Sequence, residues 1–212
     1  MLRTRVKICG ITRPEDGRCA VENGADAIGL VFFPESPRHI SAAMAIEITS
    51  ALDPFVTVVG LFVNASQADI EQVLGQIPLD LLQFHGQERN KDCNGYGLPF
   101  IKSIAIQPGV DIQEVMAAYP DARGFLLDTW QPQTHGGGGE IFDWQQIPPE
   151  LPSPFILAGG LTPKNVGAAI RRARPYAVDV SSGVESAPGI KSAVKITAFM
   201  NGVINSGTDT VN

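Results

Sequence analysis

The stretch Val6-Lys7-Ile8-Cys9-Gly10-Ile11-Thr12 sets the pattern from which the fold can be derived. A short apolar strand carries a thiol at its end, a glycine turn follows, and Pro14 lies where a helix would begin. The same order recurs along the chain, because apolar runs of strand length alternate with helical stretches. The sequence therefore predicts a repeated strand-helix architecture.

The candidate strands are short, mostly apolar and not cleanly alternating, as expected of parallel strands that are buried on both faces. They are predicted at Val6–Ile8, Ala27–Phe32, Thr57–Phe62, Leu81–Phe84, Phe100–Ile104, Gly124–Leu127, Phe155–Leu157 and Ala177–Val180. Eight such units in 212 residues favour a single-domain α/β fold, the closed (β/α)8 or TIM barrel, over an open doubly wound sheet.

The helical stretches carry start signals. Ser66 with Asp69 approximates a capping box, and Thr162 before Pro163 is an N-cap followed by proline. The predicted helices span Pro14–Asn23, Ser41–Leu52, Ser66–Gln76, Gln87–Cys93, Asp111–Tyr119, Pro163–Ala173 and Ile190–Asn201, and a glycine-rich loop with one turn near Asp143–Gln146 follows the sixth strand. We expect the catalytic barrel to occupy residues 1–201 and residues 202–212 to form a disordered polar tail.

Composition narrows the classes of partner. With 22 acidic against 16 basic residues, the net charge of −6 disfavours nucleic acid or an anionic membrane as the main partner and leaves a small molecule. The three cysteines, Cys9, Cys19 and Cys93, lack the spacing of a disulfide framework or a zinc site. The sequence has no signal peptide and no apolar run near the roughly 18 residues of a membrane span, so we expect a cytoplasmic protein.

Barrel enzymes place their chemistry at the carboxyl ends of the strands, which draws attention to the residues just after each apolar run. Cys9 ends the first strand and Asp128 follows the sixth. If both side chains point inward, they face each other across the mouth of the barrel and suit paired acid-base work. The alternative for Cys9 is a small buried packing residue, since free cysteine is among the most buried residue types.

Two further loops resemble a phosphate site. Ala158-Gly159-Gly160-Leu161-Thr162 follows the seventh strand, and Ser181-Ser182-Gly183-Val184-Glu185 follows the eighth. In such barrels these two loops hold a phosphate with backbone N–H groups and a helix dipole. We therefore predict substrate contacts from Gly159, Gly160, Ser181, Ser182 and Gly183, the alternative being that the glycines only permit tight turns.

Several motifs, which follow one another in order over nearly the whole chain, add to this likeness to phosphate-binding barrels. They are Lys7-Ile8-Cys9-Gly10-Ile11-Thr12, Phe33-Pro34-Glu35-Ser36-Pro37-Arg38, Gly60-Leu61-Phe62-Val63-Asn64, Gln83-Phe84-His85-Gly86, Leu127-Asp128, Phe142-Asp143-Trp144, Leu157-Ala158-Gly159-Gly160-Leu161 and Asp179-Val180-Ser181-Ser182-Gly183-Val184-Glu185. With them the chain resembles the phosphoribosylanthranilate isomerase family, barrel enzymes of tryptophan biosynthesis. The resemblance implies an Amadori-type rearrangement of phosphoribosylanthranilate to an aminoketose phosphate, without metal or organic cofactor.

The resemblance also implies roles. Asp128 is the general acid that protonates the furanose oxygen, and Cys9 is the general base that removes the sugar C2 proton, provided that its pKa is lowered or the cationic imine supplies the driving force. Arg38 is implied to hold the anthranilate carboxylate by two parallel hydrogen bonds. Asp179 contacts substrate hydroxyls or anchors the barrel rim, and Lys7 either assists Cys9 or is neutralised by Asp179.

Other positions and functions stay open. His85 lines the aromatic pocket or is structural, and we assign it no catalytic role. The run Gly136–Gly139 replaces a family pattern that contains threonine, which predicts a more mobile loop, and Ser192 stands where relatives often carry aspartate. The rival functions are another phosphosugar isomerase, which would be expected to use aspartate in place of Cys9, and a catalytically silent barrel that binds a phosphorylated metabolite. The protein is expected to be a monomer or a homodimer.

Overall fold

The computed structural model describes residues 3–107, 109–129, 144, 147, 148 and 150–206. Within them, most barrel strands are followed by a helix, and the barrel strands consist mainly of apolar residues. The strands are β1 (Arg5–Cys9), β2 (Ala27–Val31), β3 (Thr57–Phe62), β4 (Leu81–Phe84), β5 (Phe100–Ile106), β6 (Gly124–Thr129), β7 (Phe155–Leu157), β8 (Ala177–Val180), β9 (Glu185–Ala187) and β10 (Ile190–Lys191). The helices are α1 (Pro14–Glu22), α2 (Ala42–Ser50), α3 (Gln67–Leu74), α4 (Ile112–Ala117), α5 (Val166–Ala173) and α6 (Ala193–Asn205).

Strands β1 to β8 form a closed parallel barrel in sequence order, and β1 pairs with both β2 and β8. Because side chains alternate across a strand, Val6 and Ile8 of β1 belong to the large core between the sheet and the helices. Cys9 instead packs with inward-facing Val31, Leu61 and Val63 in a separate cluster. The predicted single (β/α)8 barrel and its eight strands are confirmed.

Three predicted helices differ from the observed ones. In place of Gln87–Cys93, only a 3-10 turn forms at Asn90–Cys93. The Glu88 carboxylate explains the difference, because it accepts the backbone N–H groups of Asn64 and Gly86 and pairs with buried Lys102 at 3.1 Å. These bonds tie the segment to β3 and β5 as a loop.

The helix after β7 begins at Val166, and the predicted N-cap at Thr162 is wrong. The Asn165 side chain turns the preceding segment back on itself: its Oδ1 accepts the N–H of Thr162 at 2.7 Å, and its Nδ2 donates to the carbonyl of Gly160 at 2.9 Å. Residues before Val166 therefore form a turn that continues the glycine loop.

The last helix is also shifted. Ile190–Lys191 pairs with β9 as the short strand β10, and α6 runs from Ala193 to Asn205, four residues past its predicted end at Asn201. Ser192 is its N-cap, with Oγ accepting the N–H of Lys195, so serine does what an aspartate would do there. Residues 207–212 of the predicted tail lie outside the described residues, as do Gly136–Gly139 and, except for Trp144, the turn predicted at Asp143–Gln146. None of the helices described is long and apolar enough to cross a membrane.

Candidate active site

The carboxyl ends of the barrel strands surround a cleft of about 490 Å³, including the part that is open to solvent. Side chains of six of the strands or the loops after them line it, among them Cys9, Arg38, His85, Asp128 and Asp179. Five predicted or considered site residues from distant parts of the sequence thus share one cavity.

Cys9 lies at the base of this cleft and is 6% exposed. Its neighbour across the β1–β2 pair is Gly29, and a Cβ atom at Gly29 would come within 2.7 Å of Cys9 Sγ and 3.1 Å of Lys7 Cε. Glycine therefore makes the room that both side chains occupy inside the barrel. Burial raises the pKa of the Cys9 thiol, although the ammonium of Lys7 opposes this shift. The direction of this shift does not favour a lowered pKa, which was one of the two conditions considered from the sequence, and leaves the cationic imine as the other.

Lys7 is buried inside the barrel and forms an ion pair with Asp179, with Nζ 2.9 Å from Oδ1. The two residues are direct partners in the β1–β8 pairing, which explains why their side chains meet. Burial alone would lower the pKa of Lys7, but Asp179 and Cys9 outweigh it and raise the pKa. The neutralisation of Lys7 by Asp179, one of the two alternatives, is thus observed.

Asp128 projects from β6 into the cleft with each carboxylate oxygen beside a different group. Oδ1 accepts the backbone N–H of Thr129 at 2.8 Å, and Oδ2 lies 3.5 Å from Nε2 of His85. Both side chains are 13% exposed, so they are accessible to a ligand at the mouth. The first contact fixes the carboxylate rotamer, and the second gives it a polar neighbour on the β4 side.

His85 is held by side chains that the sequence analysis did not single out. Its Nδ1 lies 2.7 Å from the hydroxyl of Ser103 and 3.1 Å from Nε2 of Gln83. Because both neighbours can donate to Nδ1, the favoured tautomer carries its proton on Nε2, facing Asp128. Strand parity was the signal available, since Gln83 on β4 and His85 directly after this strand are two residues apart, the spacing of side chains that share a face.

Arg38 reaches the cleft from the loop after β2, and the carboxylate of Glu185 binds the Nε side of its guanidinium. Nε and Nη2 donate to the two carboxylate oxygens of Glu185, each at 2.8 Å, and the Arg38 side chain is 12% exposed. A guanidinium has five N–H donors, so this pair leaves the edge formed by the two Nη atoms to the cleft. Glu185 belongs to the loop motif after the eighth strand, but the sequence does not indicate its pair with Arg38.

Glu185 has a second cationic partner, which the sequence did not indicate. Lys191 Nζ lies 2.8 Å from Oε1 of Glu185, and its side chain is 0% exposed. The same Nζ approaches the carbonyl and hydroxyl oxygens of Ser181 at 3.3 Å. Burial opposes ionisation of Glu185, but Arg38 and Lys191 outweigh it and hold the pKa of Glu185 below its ordinary value.

The two glycine loops meet in a smaller cleft beside the first. Gly159, Gly160, Ser181, Ser182 and Gly183 all line it, so the structure brings the five predicted loop residues together. Gly159 and Gly160 have φ values of +79° and +61°, which favour glycine, and a Cβ at Gly183 would collide with the carbonyl of Leu161. Asp128 and Asp179 border both clefts, so the two form one connected site. No group of three or more His, Cys, Asp or Glu within the described ranges is arranged to hold a metal ion.

The fold and the mouth together define a (β/α)8-barrel protein in which a cleft lined by a thiol, an imidazole and carboxylates adjoins a cleft between two glycine loops. The model of the family described as N-(5'-phosphoribosyl)anthranilate (PRA) isomerase matches residues 6–202. A Pseudomonas fluorescens (strain SBW25) protein named N-(5'-phosphoribosyl)anthranilate isomerase is 57% identical over 206 residues, which cover 97% of this chain and 98% of that protein. The chain belongs to the N-(5'-phosphoribosyl)anthranilate isomerase family.

Solved structures of similar proteins agree. The phosphoribosyl anthranilate isomerase of Thermotoga maritima superposes with a TM-score of 0.86 at 41% identity, over 95% of this chain and 99% of that one. A second phosphoribosyl anthranilate isomerase, in complex with reduced 1-(o-carboxyphenylamino)-1-deoxyribulose 5-phosphate, gives a TM-score of 0.83 at 39% identity with the same two coverages.

Proposed function

We propose that this protein is a phosphoribosylanthranilate isomerase of tryptophan biosynthesis, which converts N-(5'-phosphoribosyl)anthranilate to 1-(2-carboxyphenylamino)-1-deoxyribulose 5-phosphate. Membership of the family supports this assignment. The observation that carries it within the molecule is the shared cleft of Cys9 and Asp128, which adjoins the cleft between the two glycine loops. An acid and a base at one end of a bound phosphosugar are what an internal redox isomerisation needs.

The first step is opening of the ribose ring. Asp128 donates a proton to the furanose oxygen as the bond from that oxygen to C1 breaks, and the nitrogen lone pair forms the cationic imine. His85 is then a positioning residue, since its Nε2 faces Oδ2 of Asp128 and its Nδ1 is held by Ser103. The N–H of Thr129 restrains the other carboxylate oxygen. Both contacts limit the acid to one orientation toward the sugar.

The second step moves a proton from carbon. Cys9 removes the C2 proton, the electron pair neutralises the imine to give an enolamine, and reprotonation at C1 with loss of the hydroxyl proton gives the aminoketose. Because burial raises the pKa of Cys9, the thiolate is scarce in the free protein and is a strong base once formed. The neighbouring ammonium of Lys7, which opposes that shift, stabilises the thiolate, and the cationic imine adds to the driving force.

Two anionic groups anchor the substrate at opposite ends. Backbone N–H groups of Gly159, Gly160 and Gly183 and the hydroxyls of Ser181 and Ser182 receive the phosphate. The edge of the Arg38 guanidinium formed by the two Nη atoms binds the anthranilate carboxylate by two parallel hydrogen bonds. Asp179, which borders both clefts, faces the ribose hydroxyls between these anchors. None of these residues depends on a metal or organic cofactor in the proposed reaction.

The test is to add purified protein to freshly generated phosphoribosylanthranilate and to follow the loss of substrate fluorescence. Catalysed loss of fluorescence supports the isomerase. Absence of turnover together with tight binding of inorganic phosphate would instead favour the catalytically silent barrel. A cytoplasmic location and a monomer or homodimer stay predictions; a solved Thermotoga maritima relative is described as monomers generated from a dimeric enzyme.

A further inference from the structure

Two buried cations share one carboxylate at the edge of the larger cleft, the one that Cys9 and Asp128 line. Arg38 donates two hydrogen bonds of 2.8 Å to Glu185, and Lys191 Nζ contacts the same carboxylate at 2.8 Å. The side chains of Arg38, Glu185 and Lys191 are 12%, 5% and 0% exposed. With both cations ionised, two positive charges face one negative charge, and the cluster of Arg38, Glu185 and Lys191 carries one positive charge in excess.

The surrounding charges do not remove this excess. Asp179 is paired with Lys7, and Asp16 accepts two hydrogen bonds from Arg13. Asp16 also accepts the backbone N–H of Lys191, which is a neutral donor. Burial lowers the pKa of Lys191, and Arg38 contributes to that lowering, as expected where two cations compete for one anion.

Within the cluster, only Arg38 lines one of the two clefts, and that cleft is the larger one. Glu185 occupies the side-on edge of Arg38, so an incoming anion meets the edge formed by the two Nη atoms. A single anionic group bound there balances the cluster at two positive and two negative charges. Buried ion pairs need this balance because an uncompensated charge in a low-dielectric site is costly.

We propose that Lys191 is a specificity-determining residue for the carboxylate of the substrate, acting through Glu185 and Arg38 without touching the substrate. Lys191 neutralises the charge of Glu185, which would otherwise cancel the charge of Arg38. The inference rests on the proposed function, in which Arg38 receives the anthranilate carboxylate. It adds a claim about a buried residue that lines neither cleft.

The test compares two unreactive ligands of the same shape and different charge. One is reduced 1-(o-carboxyphenylamino)-1-deoxyribulose 5-phosphate, and the other is its ortho-carboxamide. Calorimetry gives the ratio of their dissociation constants for the wild type, for Lys191→Met and for the matched control Lys195→Met. Lys195 is exposed and donates to the backbone carbonyl of Glu185, not to its carboxylate.

We expect the wild type to prefer the carboxylate by about 30-fold or more, and Lys191→Met to lower this preference by about 10-fold, or about 1.4 kcal/mol. Lys195→Met should leave the ratio within about twofold, because surface charges contribute little. Lys191→Gln, which keeps hydrogen-bond donors and removes the charge, should reproduce the effect and replaces Lys191→Met if that variant does not fold.

Other outcomes overturn the proposal. An unchanged ratio in a folded neutral variant, with both ligands weakened equally, would mean that Lys191 is only structural. Weaker binding of inorganic phosphate with an unchanged ratio of the two dissociation constants would mean that the charge of Lys191 stabilises the loop that contains Ser181. Failure of the proposed function is a separate result: the wild type would then show no turnover of phosphoribosylanthranilate.

Discussion

Asp128 and His85 face each other across the mouth of the barrel, with Oδ2 of Asp128 3.5 Å from Nε2 of His85. Strand β6 supplies Asp128, His85 directly follows β4, and the hydroxyl of Ser103 on the intervening β5 holds the far side of the imidazole at 2.7 Å. A carboxyl, an imidazole and a hydroxyl thus form a chain across three neighbouring strands, and its final member is the proposed acid.

This chain predicts that His85 affects turnover more than binding. His85→Ala removes the group that faces Asp128, and we expect kcat to fall by about 10- to 100-fold with the affinity for inorganic phosphate unchanged. Ser103→Ala removes one bond from the far side of the ring and should lower kcat by only a few-fold, about 2- to 5-fold. Steady-state kinetics of both variants tests whether His85→Ala lowers kcat more than Ser103→Ala does. A normal kcat in His85→Ala would exclude the positioning role.

The pair of Lys7 and Asp179 should stabilise the barrel. Replacing one partner leaves the other charge buried, so Lys7→Met is expected to lower the free energy of unfolding by about 3–5 kcal/mol. The double variant with Asp179→Asn should lose less than the sum of the single changes. Arg3→Met is the control: its pair with Asp26 is 38% and 34% exposed and should contribute under about 1 kcal/mol. Urea unfolding gives the free energy of unfolding of the two single variants, the double variant and the control. A small loss in Lys7→Met that simply adds to the loss in Asp179→Asn would mean that the pair does not stabilise the barrel.

Burial of Cys9 predicts how its thiol titrates. Thiolate absorbance near 240 nm, taken as the difference between the wild type and Cys9→Ala, should have its midpoint above the ordinary pKa of 9.0. The other thiols interfere little, because burial raises the pKa of Cys19 and raises that of Cys93 to about 12. The unfolded chain ionises first, so the stability linked to Cys9 is present below pH 9.0 and is lost as the pH rises through the folded pKa. A midpoint below pH 8 would show that Lys7 outweighs burial.

The close approach of the two glycine loops gives a further prediction. A Cβ at Gly183 would collide with the carbonyl of Leu161, so Gly183→Ala must push the loops apart. We expect the dissociation constant of inorganic phosphate to rise by about 10-fold or more, since backbone donors must stay in place to hold a dianion. Gly75→Ala is the control, because φ there is −68° and a Cβ would meet only Glu71 O at 3.4 Å and Gln72 O at 3.8 Å. Equal affinities in the two variants would place the anion elsewhere.

The fold could be predicted from the sequence because apolar runs and turns are local signals. Every predicted barrel strand is present, and Ser66 and Asp111 cap the helices that follow them. The helix starts predicted at Gln87 and Ile190 are wrong because contacts with distant residues determine these segments. Glu88 ties its segment to other strands, and Lys191 pairs with β9 as part of a short strand. Such bonds have no signature within the segments that they reshape.

The candidate site also has features that the sequence predicts and features that it does not. Positions at strand ends, such as Cys9 and Asp128, follow from strand order and parity. Pairings do not, because Arg38 and Glu185 are 147 residues apart and Lys7 and Asp179 are 172 apart. The direction of the pKa shift of Cys9 also depends on how deeply the closed barrel buries it. The sequence therefore indicates the candidate reacting groups, and the structure supplies the partners that surround them.

The most direct test of the central claim, that Cys9 and Asp128 carry out the isomerisation together, is the turnover of phosphoribosylanthranilate by Cys9→Ala and Asp128→Asn. Each change should lower kcat by about 100-fold or more, while the affinity for inorganic phosphate stays within about twofold of the wild type. Near-normal turnover in either folded variant would contradict the account and remove that residue from the mechanism.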